Sequence, residues 1–303
     1  MIEYLLGNGL VASFGSRAEG HMYGNWGKRD NLDRLITLTT DFGVDDAFVG
    51  VMKGVILGIN KDARIVDICH QVAPQNISEG SLVLASAYTY FPPDTVHLAV
   101  VDPGVGSSRR PIALATPLGI FVAPDNGLLS GVLADFGVLS PPSPSPLAEN
   151  PGLQAVHLTH NRFWLPKVSA TFHGRDIFAP VAAHLSLGVP VEQLGEAIDS
   201  LEVLTQSHPE RTNAGMPIAH VVYVDRLGNL LTDARPADLP PSPVVISVKD
   251  QTIAGVSASY GEGGSLVALI GSGDRLEIAL RNGSAASFLQ AGVGDIVEIE
   301  RTA

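Results

Sequence analysis

The stretch LITLTTDFGVDDAFVGVMKGVILGI, residues 35–59, decides the fold class. Its first six residues form a short run rich in β-branched side chains, which is typical of a buried strand. After that run, apolar residues recur at the spacing of one helix face, namely Phe48, Val51, Val55 and Ile59. A buried strand followed directly by a helix is the repeating unit of α/β proteins, so the stretch predicts a strand-to-helix unit on a parallel sheet.

Strand-like and helical segments continue to alternate after this unit. The further strand candidates are RIVDI (64–68), TVHLAVVD (95–102), PIALAT (111–116) and GIFVAPD (119–125). Asn76 and Glu79 are spaced as a capping box at the start of the apolar segment NISEGSLVLASAYTYF. Further helices are predicted within residues 127–136 and 176–188. The alternation predicts an N-terminal α/β domain with a largely parallel central sheet.

The second part of the chain lacks this helical spacing. Residues 139–152, LSPPSPSPLAENPG, predict an exposed extended loop, and residues 205–217, TQSHPERTNAGMP, predict an interdomain linker. Short strand-like pieces separated by glycine turns follow, namely IAHVVYVDRLGNLLTD, PVVISVK, SLVALIGSG, RLEIAL and GDIVEIER. They predict a small all-β, barrel-like C-terminal domain. The expected domains are therefore residues 34–208 and 209–303.

The first 33 residues differ from the rest and are expected to be a leader outside both domains. GSRAEGHM, residues 15–22, is typical of a segment added by cloning, with Met22 as the native start; the alternative is that residues 1–21 are native. A basic start followed by a long apolar segment is missing from this leader, so it does not resemble a secretory signal.

Composition limits the classes of partner. The chain of 303 residues has 19 Lys and Arg against 31 Asp and Glu, a net charge of -12, which argues against nucleic acid or an anionic membrane as partner. The single cysteine, Cys69, excludes an internal disulfide framework and favours a reducing compartment. No apolar run approaches the roughly 18 residues needed to span a bilayer. We therefore expect a cytoplasmic protein with a cationic or neutral small ligand.

Two carboxylates follow predicted strands at the edge where ligands bind in α/β sheets. Asp41 ends the first strand and Asp102 ends TVHLAVVD, so both are expected in one crevice beyond the carboxyl ends of the strands. The two oxygens of Asp41 suit both hydroxyls of a ribose, and the alternative is a cap for the following helix.

Other polar residues have a structural and a functional interpretation. Asp125, Asn126 and Gly127 form foremost a turn signal. His173, Gly174, Arg175 and Asp176 lie where an apolar helix begins, and the alternative to a site is an ordinary helix start. For Arg109 and Arg110 the alternative is a solvated surface. His70 is interpreted as a packed strand-end histidine, and no spacing matches a metal motif.

Six ordered motifs together resemble one known family. LTTDFGVDD, VDICHQVAP, VVDPGVGSSRR, APDNGLL, TFHGRDIFAPVAAHL and GNLLTD are similar to the S-adenosyl-L-methionine hydrolases (adenosine-forming), also called S-adenosylmethionine hydroxide adenosyltransferases. These proteins are related to fluorinating and chlorinating enzymes that attack the same substrate. The resemblance covers residues 35 to about 300 and implies hydrolysis of S-adenosyl-L-methionine to adenosine and L-methionine, without a cofactor or a metal.

The resemblance also implies residue roles and an assembly. Asp102, Arg109 and His173 match the family's catalytic set, with Asp102 and His173 expected to accept protons of the attacking water. Substrate contacts are implied for the residues Asp41, Asp125, Asn126, Gly174, Asn229 and Ser272. Asn229 would contact adenine and Ser272 the methionine carboxylate, although relatives place an arginine beside that serine and here Arg275 follows only after Gly273 and Asp274. A homotrimer with sites at subunit interfaces is implied.

Three functions therefore compete. Hydrolysis is favoured over halogenation because halogenating relatives have lost the water-holding acid and histidine, whereas Asp102 and His173 are both present. Gly174 does not discriminate, since chlorinating relatives also have glycine there. A non-catalytic S-adenosylmethionine or adenosine sensor is the third possibility, and it would return its ligand intact.

Overall fold

A computed structural model describes residues 34–138, 143–147, 150, 152–205, 207–241 and 243–301, together with the backbone of two short paired strands, Tyr4–Leu5 and Val11–Ala12. The remaining parts of the expected leader and of the 139–152 loop lie outside the described residues. The chain divides into two compact units, with the boundary between Thr205 and Gln206.

The first unit contains a seven-stranded sheet with helices between its strands. In chain order its larger elements are β1 (Ile36–Thr40), α1 (Phe48–Ile59), β2 (Ile65–Cys69), α2 (Ile77–Ala87), β3 (Val96–Val100), β4 (Pro111–Thr116), β5 (Gly119–Pro124), α3 (Ser130–Asp135), β6 (Ser145–Pro146), β7 (Gln154–His157), α4 (Ala179–Ser186), β8 (Glu196–Ile198) and β9 (Ser200–Leu201). Short 3-10 turns occur at Tyr88–Tyr90, Asn161–Phe163 and Val191–Gln193, and a π-helical turn at Gly174–Phe178 precedes α4.

The sheet confirms the predicted fold class. Its strand order is β8, β7, β4, β5, β3, β1, β2, and the four strands from β5 to β2 run parallel. Strand β4 is antiparallel to β5 because only Pro117 and Leu118 separate them, too few residues for a parallel crossover. Strands β7 and β8 extend the sheet in antiparallel fashion, and β6 pairs separately with β9.

Helices cover both faces of this sheet. On one face α1 and α4 pack over alternate residues of β1 and β3, and on the other α2 and α3 pack over β4 and β5. The N-cap prediction for α2 is confirmed, because Asn76 Oδ1 accepts from the backbone N–H of Glu79 at 3.1 Å. Helix α3 is shorter than the predicted 127–136, since Asp125 to Leu129 form the turns that precede it.

The predicted stripe of α1 is confirmed in one half and wrong in the other. Val55 and Ile59 pack against the core, whereas Phe48 and Val51 are exposed. The buried residues of this helix are Val49, Met52 and Ile56. The helix itself carries apolar residues and glycines on nearly every side, so spacing alone did not distinguish its two candidate faces.

The second unit is all-β, as predicted. Its elements are β10 (Glu210–Arg211), β11 (Pro217–Val224), β12 (Leu230–Thr232), a 3-10 turn (Pro236–Asp238), β13 (Val244–Val248), β14 (Gln251–Ala254), β15 (Leu266–Ile270), β16 (Leu276–Leu280), α5 (Ala285–Leu289) and β17 (Ile296–Arg301). The order β14, β13, β17, β11, β12, β16, β15 is antiparallel throughout, with β10 beside β11. A bridge between Ser257 and Leu269 nearly closes this sheet into a barrel around one apolar core.

Strands β1 and β3 form the switch point of the parallel sheet. From β1 the chain moves outward to β2 and then returns to place β3 on the opposite side of β1. Thr40 pairs with Val100 at the carboxyl ends of these strands, so Asp41 and Asp102 leave the sheet from neighbouring strand ends. Ligands of open α/β sheets bind at such a crevice. No helix in the described part of the chain is both long and apolar enough to cross a membrane.

Candidate active site

Asp102 and Arg109 are joined across the turn that follows β3. Arg109 Nε donates to Oδ1 of Asp102 at 2.9 Å, and Nη2 donates to Oδ2 at 2.5 Å. Both side chains are buried, with 5% of Asp102 and 9% of Arg109 exposed. This fork geometry with two parallel hydrogen bonds is the strongest form of a carboxylate–guanidinium pair. The surface interpretation of Arg109 is therefore wrong.

His173 completes the cluster from a distant part of the sequence. Its Nδ1 lies 2.8 Å from Nη2 of Arg109. A guanidinium only donates hydrogen bonds, so Nδ1 accepts, and the proton of the neutral ring is on Nε2. Burial, followed by the charge of Arg109, holds the pKa of His173 below its ordinary value of 6.5, against the opposing effects of Asp102, Asp176 and a backbone hydrogen bond with Ser169. The ring is therefore neutral at pH 7.

Arg109 retains an unused donor in this buried place. Its Nη1 has no hydrogen-bond partner among the described residues. Cζ of Arg109 lies 5.2 Å from the ring centroid of Phe178. A buried donor without a partner carries a desolvation penalty unless a ligand or water satisfies it. The cluster thus places a carboxylate acceptor beside an unused guanidinium N–H, and the imidazole N–H of His173 lies on the side of the ring that faces away from Arg109.

The two segments that carry these residues meet through their backbones. Gly106 has φ +78°, and a Cβ on it would lie 2.4 Å from the carbonyl oxygen of Ala170. Only glycine combines this left-handed conformation with so close an approach. The Asp102–Arg109 turn therefore lies directly against the loop that leads to His173.

Asp176 anchors that loop, a role that the sequence did not indicate. Its Oδ2 accepts from both the backbone N–H and the Oγ of Ser169 at 2.8 Å, and Arg175 Nε donates to Oδ1 at 2.6 Å. Burial alone would raise the pKa of Asp176, but these hydrogen bonds lower it below its ordinary value. No local motif links positions 169 and 176, so only the folded loop reveals the contact.

Asp41 follows β1 at the same edge of the sheet. Its Oδ2 accepts from the backbone N–H of Gln75 at 2.8 Å. The cap interpretation does not hold, because α1 begins at Phe48 and its N-cap position is Ala47. A carboxylate has about four acceptor positions, so Asp41 retains the capacity to bind a diol.

Gly174 is buried at the start of the π-helical turn. A Cβ at this position would lie 3.2 to 3.3 Å from atoms of Phe172, Met52 and Phe42. The glycine therefore allows an aromatic cluster to pack beside His173, where Phe42 and Phe172 meet edge to face at 5.9 Å.

Asp125 and Asn126 support the strand ends near this cluster. Asp125 is paired with Arg110 Nε at 2.8 Å and accepts from the backbone N–H of Glu202 at 2.8 Å. Burial, the larger effect, raises the pKa of Asp125. Asn126 Nδ2 donates to the carbonyl of Val101 at 2.9 Å, directly before Asp102. The turn interpretation fits these contacts. Arg110 is partly exposed, at 29%, and is paired with Asp125. The substrate role of Asp125 and Asn126 stays a prediction.

The second unit holds Asn229 and Ser272. The backbone N–H and the Nδ2 of buried Asn229 both donate to the carboxylate of Asp225 at 2.8 Å. Ser272 is exposed in the turn between β15 and β16, and Arg275 Nη1 donates to the carbonyl of Thr232 at 3.3 Å. The ligand roles of Asn229 and Ser272 also stay predictions.

Two family models cover most of the chain. The N-terminal domain of the SAM hydroxide adenosyltransferases matches residues 36–195, and the C-terminal domain matches residues 219–298. The chain belongs to the SAM hydroxide adenosyltransferase family. The family resemblance of the six motifs is thereby confirmed.

Named relatives and a solved structure agree with this membership. An (R)-S-adenosyl-L-methionine hydrolase of Salinispora tropica is 39% identical over 87% of this chain and 97% of its own. A fluorinase of Nocardia brasiliensis is 27% identical over 88% of this chain and 97% of its own. The crystal structure of an uncharacterized conserved protein from Thermotoga maritima superposes with a TM-score of 0.75 and 37% identity, covering 88% of this chain and all of that one.

In this hydroxide adenosyltransferase family member, the Asp102–Arg109–His173 cluster places a carboxylate acceptor beside a guanidinium with an unused donor. Within the described residues, no group of three His, Cys, Asp or Glu side chains is close enough to hold a metal ion.

Proposed function

We propose that the protein hydrolyses S-adenosyl-L-methionine to adenosine and L-methionine. The observation that carries the proposal is the buried contact of Asp102 and Arg109 with His173 in a member of this family. Relatives 32% to 39% identical are named as hydrolases of this substrate, whereas the fluorinase relative is 27% identical. S-adenosyl-L-methionine is then the substrate, and no cofactor takes part.

The reaction is a single in-line displacement at ribose C5′. The oxygen of a water or hydroxide forms a bond to C5′ as the C5′–S bond breaks, and the electron pair of that bond remains on sulfur. Methionine leaves as a neutral thioether, so the leaving group needs no acid. Water is the weaker partner, with a bulk pKa near 15.7, and the protein's task is to position it and increase its nucleophilicity.

Each member of the cluster has one role in this proposal. Asp102 accepts the proton that the attacking water loses. Arg109 keeps Asp102 in place and stabilises negative charge on the oxygen through its unused Nη1 donor. His173 accepts from Arg109 at Nδ1 and so holds the guanidinium in place, while the proton-accepting role that the resemblance implies for it stays a prediction.

The substrate is held by groups from both parts of the sequence. Asp41 binds the ribose diol, Asn229 contacts adenine and Ser272 contacts the methionine carboxylate. Asp125 and Asn126 contribute by supporting the end of β3, and Gly174 keeps the space beside His173 small. We further propose the domain division 34–208 and 209–303, which the unit boundary at Thr205 supports.

We propose a homotrimer with its sites at the subunit interfaces. The exposed face of α1 supports association with further copies, because it carries Phe48, Val51 and Leu57 beside three glycines at every fourth position. An exposed apolar helix face of this kind is typical of an interaction surface. Light scattering on the wild type is expected to give three chain masses, and Val51→Asp is expected to reduce that mass.

A cytoplasmic location without nucleic-acid or membrane partners fits the net charge of -12.

Isotope labelling tests the proposed reaction. Incubation of the purified protein with S-adenosyl-L-methionine in 18O-labelled water is expected to give adenosine labelled at its 5′ oxygen. Unlabelled adenosine, or methylthioadenosine, would contradict the mechanism, and bound substrate returned intact would indicate a sensor.

The same experiment with chloride or fluoride tests halogenation. A halide beside the carboxylate of Asp102 would meet a repulsion of roughly 4 kcal/mol at an effective dielectric constant near 20. Water has no such penalty and gains an acceptor. We therefore expect no 5′-halogenated nucleoside, even at high halide concentration, and mass spectrometry that finds it in a yield comparable to adenosine would overturn the hydrolase assignment.

A further inference from the structure

His70 holds the backbone on both sides of Asp41. This residue follows β2 and is only 6% exposed. Its Nδ1 lies 2.8 Å from Oγ1 of Thr40, and that same oxygen accepts from the N–H of Phe42 at 3.2 Å. The carbonyl of His70 accepts from the N–H of Gly43 at 2.7 Å. The turn containing Asp41 is therefore tied to His70 before and after the carboxylate.

A charged pair lies at the other side of the imidazole. Nε2 of His70 is 3.1 Å from Oδ1 of Asp67, whose Oδ2 accepts from Lys53 Nζ at 2.6 Å. The ring nitrogen does not make a well-aligned hydrogen bond to that oxygen, so the attraction is electrostatic. It nevertheless favours a proton on Nε2, and with that tautomer Nδ1 accepts from the hydroxyl of Thr40. Burial would raise the pKa of Asp67, but Lys53 and His70 lower it.

The carboxylate of Asp41 is held separately from its backbone. The N–H of Gln75 that donates to Oδ2 belongs to a residue with φ +66°, in the left-handed region that side chains other than glycine rarely adopt. Strained backbone of this kind persists where the surrounding structure enforces it, and it concentrates at binding sites. The orientation of Asp41 thus depends on two residues of the β2–α2 connection, His70 and Gln75.

We propose that His70 is a positioning residue for Asp41. Binding of two ribose hydroxyls by one carboxylate requires both oxygens to be held within about 0.5 Å of the productive geometry. The links from His70 to Thr40 and Gly43 keep the turn in that geometry without touching the substrate. This inference rests on the proposed function, in which Asp41 binds the ribose diol.

Kinetics of His70 variants test the inference. His70→Phe keeps a ring of similar size but has no acceptor for Thr40, and we expect the KM for S-adenosyl-L-methionine and the Kd for adenosine to rise about tenfold, with kcat within about threefold of the wild type. His70→Asn places an amide oxygen near the position of Nδ1 and is expected to keep both constants within about threefold. If His70→Phe does not fold, His70→Gln, which reaches the Nε2 position instead, is expected to show the same tenfold rise.

A second buried histidine supplies the matched control. His97 Nδ1 lies 2.8 Å from Oγ1 of Thr37, near the amino ends of β3 and β1 and away from the crevice. His97→Phe should lower the melting temperature and leave both KM and Kd unchanged. Equal changes in the His70→Phe and His97→Phe variants, or none in either, would overturn the positioning role.

The readouts separate this inference from the proposed function. Adenosine binding is measured by calorimetry without any reaction. A wild type that binds adenosine but releases none from S-adenosyl-L-methionine contradicts the hydrolase proposal, while a tenfold weaker Kd in His70→Phe still supports the positioning role. A wild type that hydrolyses the substrate, with unchanged constants in His70→Phe and His70→Gln, contradicts only the positioning role.

Discussion

Nη2 of Arg109 lies 2.8 Å from Nδ1 of His173, and the direction of this hydrogen bond determines what the imidazole presents to a ligand. Because the guanidinium can only donate, the free side of the neutral ring carries the N–H. In the proposed mechanism Asp102 is therefore the acceptor of the proton that the attacking water loses. The sequence predicts the members of the cluster, and the proton-accepting role that it implies for His173 stays a prediction.

The ionisation of His173 is the first prediction. Burial and the charge of Arg109 lower its pKa, so NMR titration should find a neutral Nε2–H tautomer at pH 7 and a midpoint below 6.5. Removal of the cation in Arg109→Met should raise that midpoint. The exposed Arg162 supplies the control, since Arg162→Met should leave the midpoint unchanged. A Nδ1–H tautomer in the wild type would contradict the assigned hydrogen bond.

The proton acceptor is the second prediction. Asp102→Asn removes the charge that accepts the proton of water, so kcat should fall by about 10²-fold or more while the Kd for adenosine changes little. Asp41→Ala serves as the contrast, because the loss of a binding group should mainly raise KM. Steady-state kinetics and calorimetry measure both variants, and a change in KM alone for each of them would show that the roles are wrongly assigned.

The contact of Gly106 with the His173 loop is the third prediction. Gly106→Ala combines a left-handed backbone with a Cβ 2.4 Å from the Ala170 oxygen, so it should reduce the free energy of unfolding by about 1–3 kcal/mol. It should also lower kcat, because the displaced turn carries Asp102. Gly104→Ala is the matched control in the same turn, since its nearest neighbour would be Ser107 Oγ at 3.3 Å. Equal melting temperatures for the two variants would refute the close approach.

The acid sensitivity of the fold is the fourth prediction. Burial lowers the pKa of His97 to about 3 in the folded protein, against an ordinary value of 6.5 in the unfolded chain. The unfolded chain therefore takes up the proton first, and stability that is fully present above pH 6.5 is lost as the pH falls from 6.5 towards 3. Between pH 7 and pH 5 this histidine should remove about 2 kcal/mol from the free energy of unfolding.

Urea unfolding at these two pH values measures the effect. His97→Phe has no proton to bind, so its stability should fall less than that of the wild type over the same interval. The comparison isolates His97 from the other histidines, which both proteins share. The same pH dependence in wild type and variant would contradict the low pKa.

Strand positions were predictable because apolar, β-branched runs bounded by glycine, proline or aspartate require a sheet. The strand ends at Asp41 and Asp102 followed from the same pattern, since parallel strands bring their carboxyl ends to one edge. The buried face of α1 was predictable only in part, because both of its faces are apolar and the packing of α4 selects Val49, Met52 and Ile56.

Long-range polar pairs were also beyond the sequence. The sequence predicts the turn at Asp125 but not its partners, Arg110 and the backbone of Glu202. The partner of Arg109 at position 173 is 64 residues distant, and no local spacing encodes such a contact. The family resemblance identified these residues as members of a site, and the folded chain was needed to assign their hydrogen bonds.

The fit of Gly106 against Ala170 limits how this protein can be recombined with its relatives. A chimera with a crossover between residues 126 and 165 inherits the Asp102–Arg109 turn from one parent and the His173 loop from the other. Such a hybrid retains the contact only under two conditions. The first parent must have glycine at the position of Gly106, and the loop of the second parent must have the same backbone conformation around Ala170. Crossovers at the boundary near Thr205 keep both segments from a single parent, and libraries of hybrids should therefore be richest in active members there.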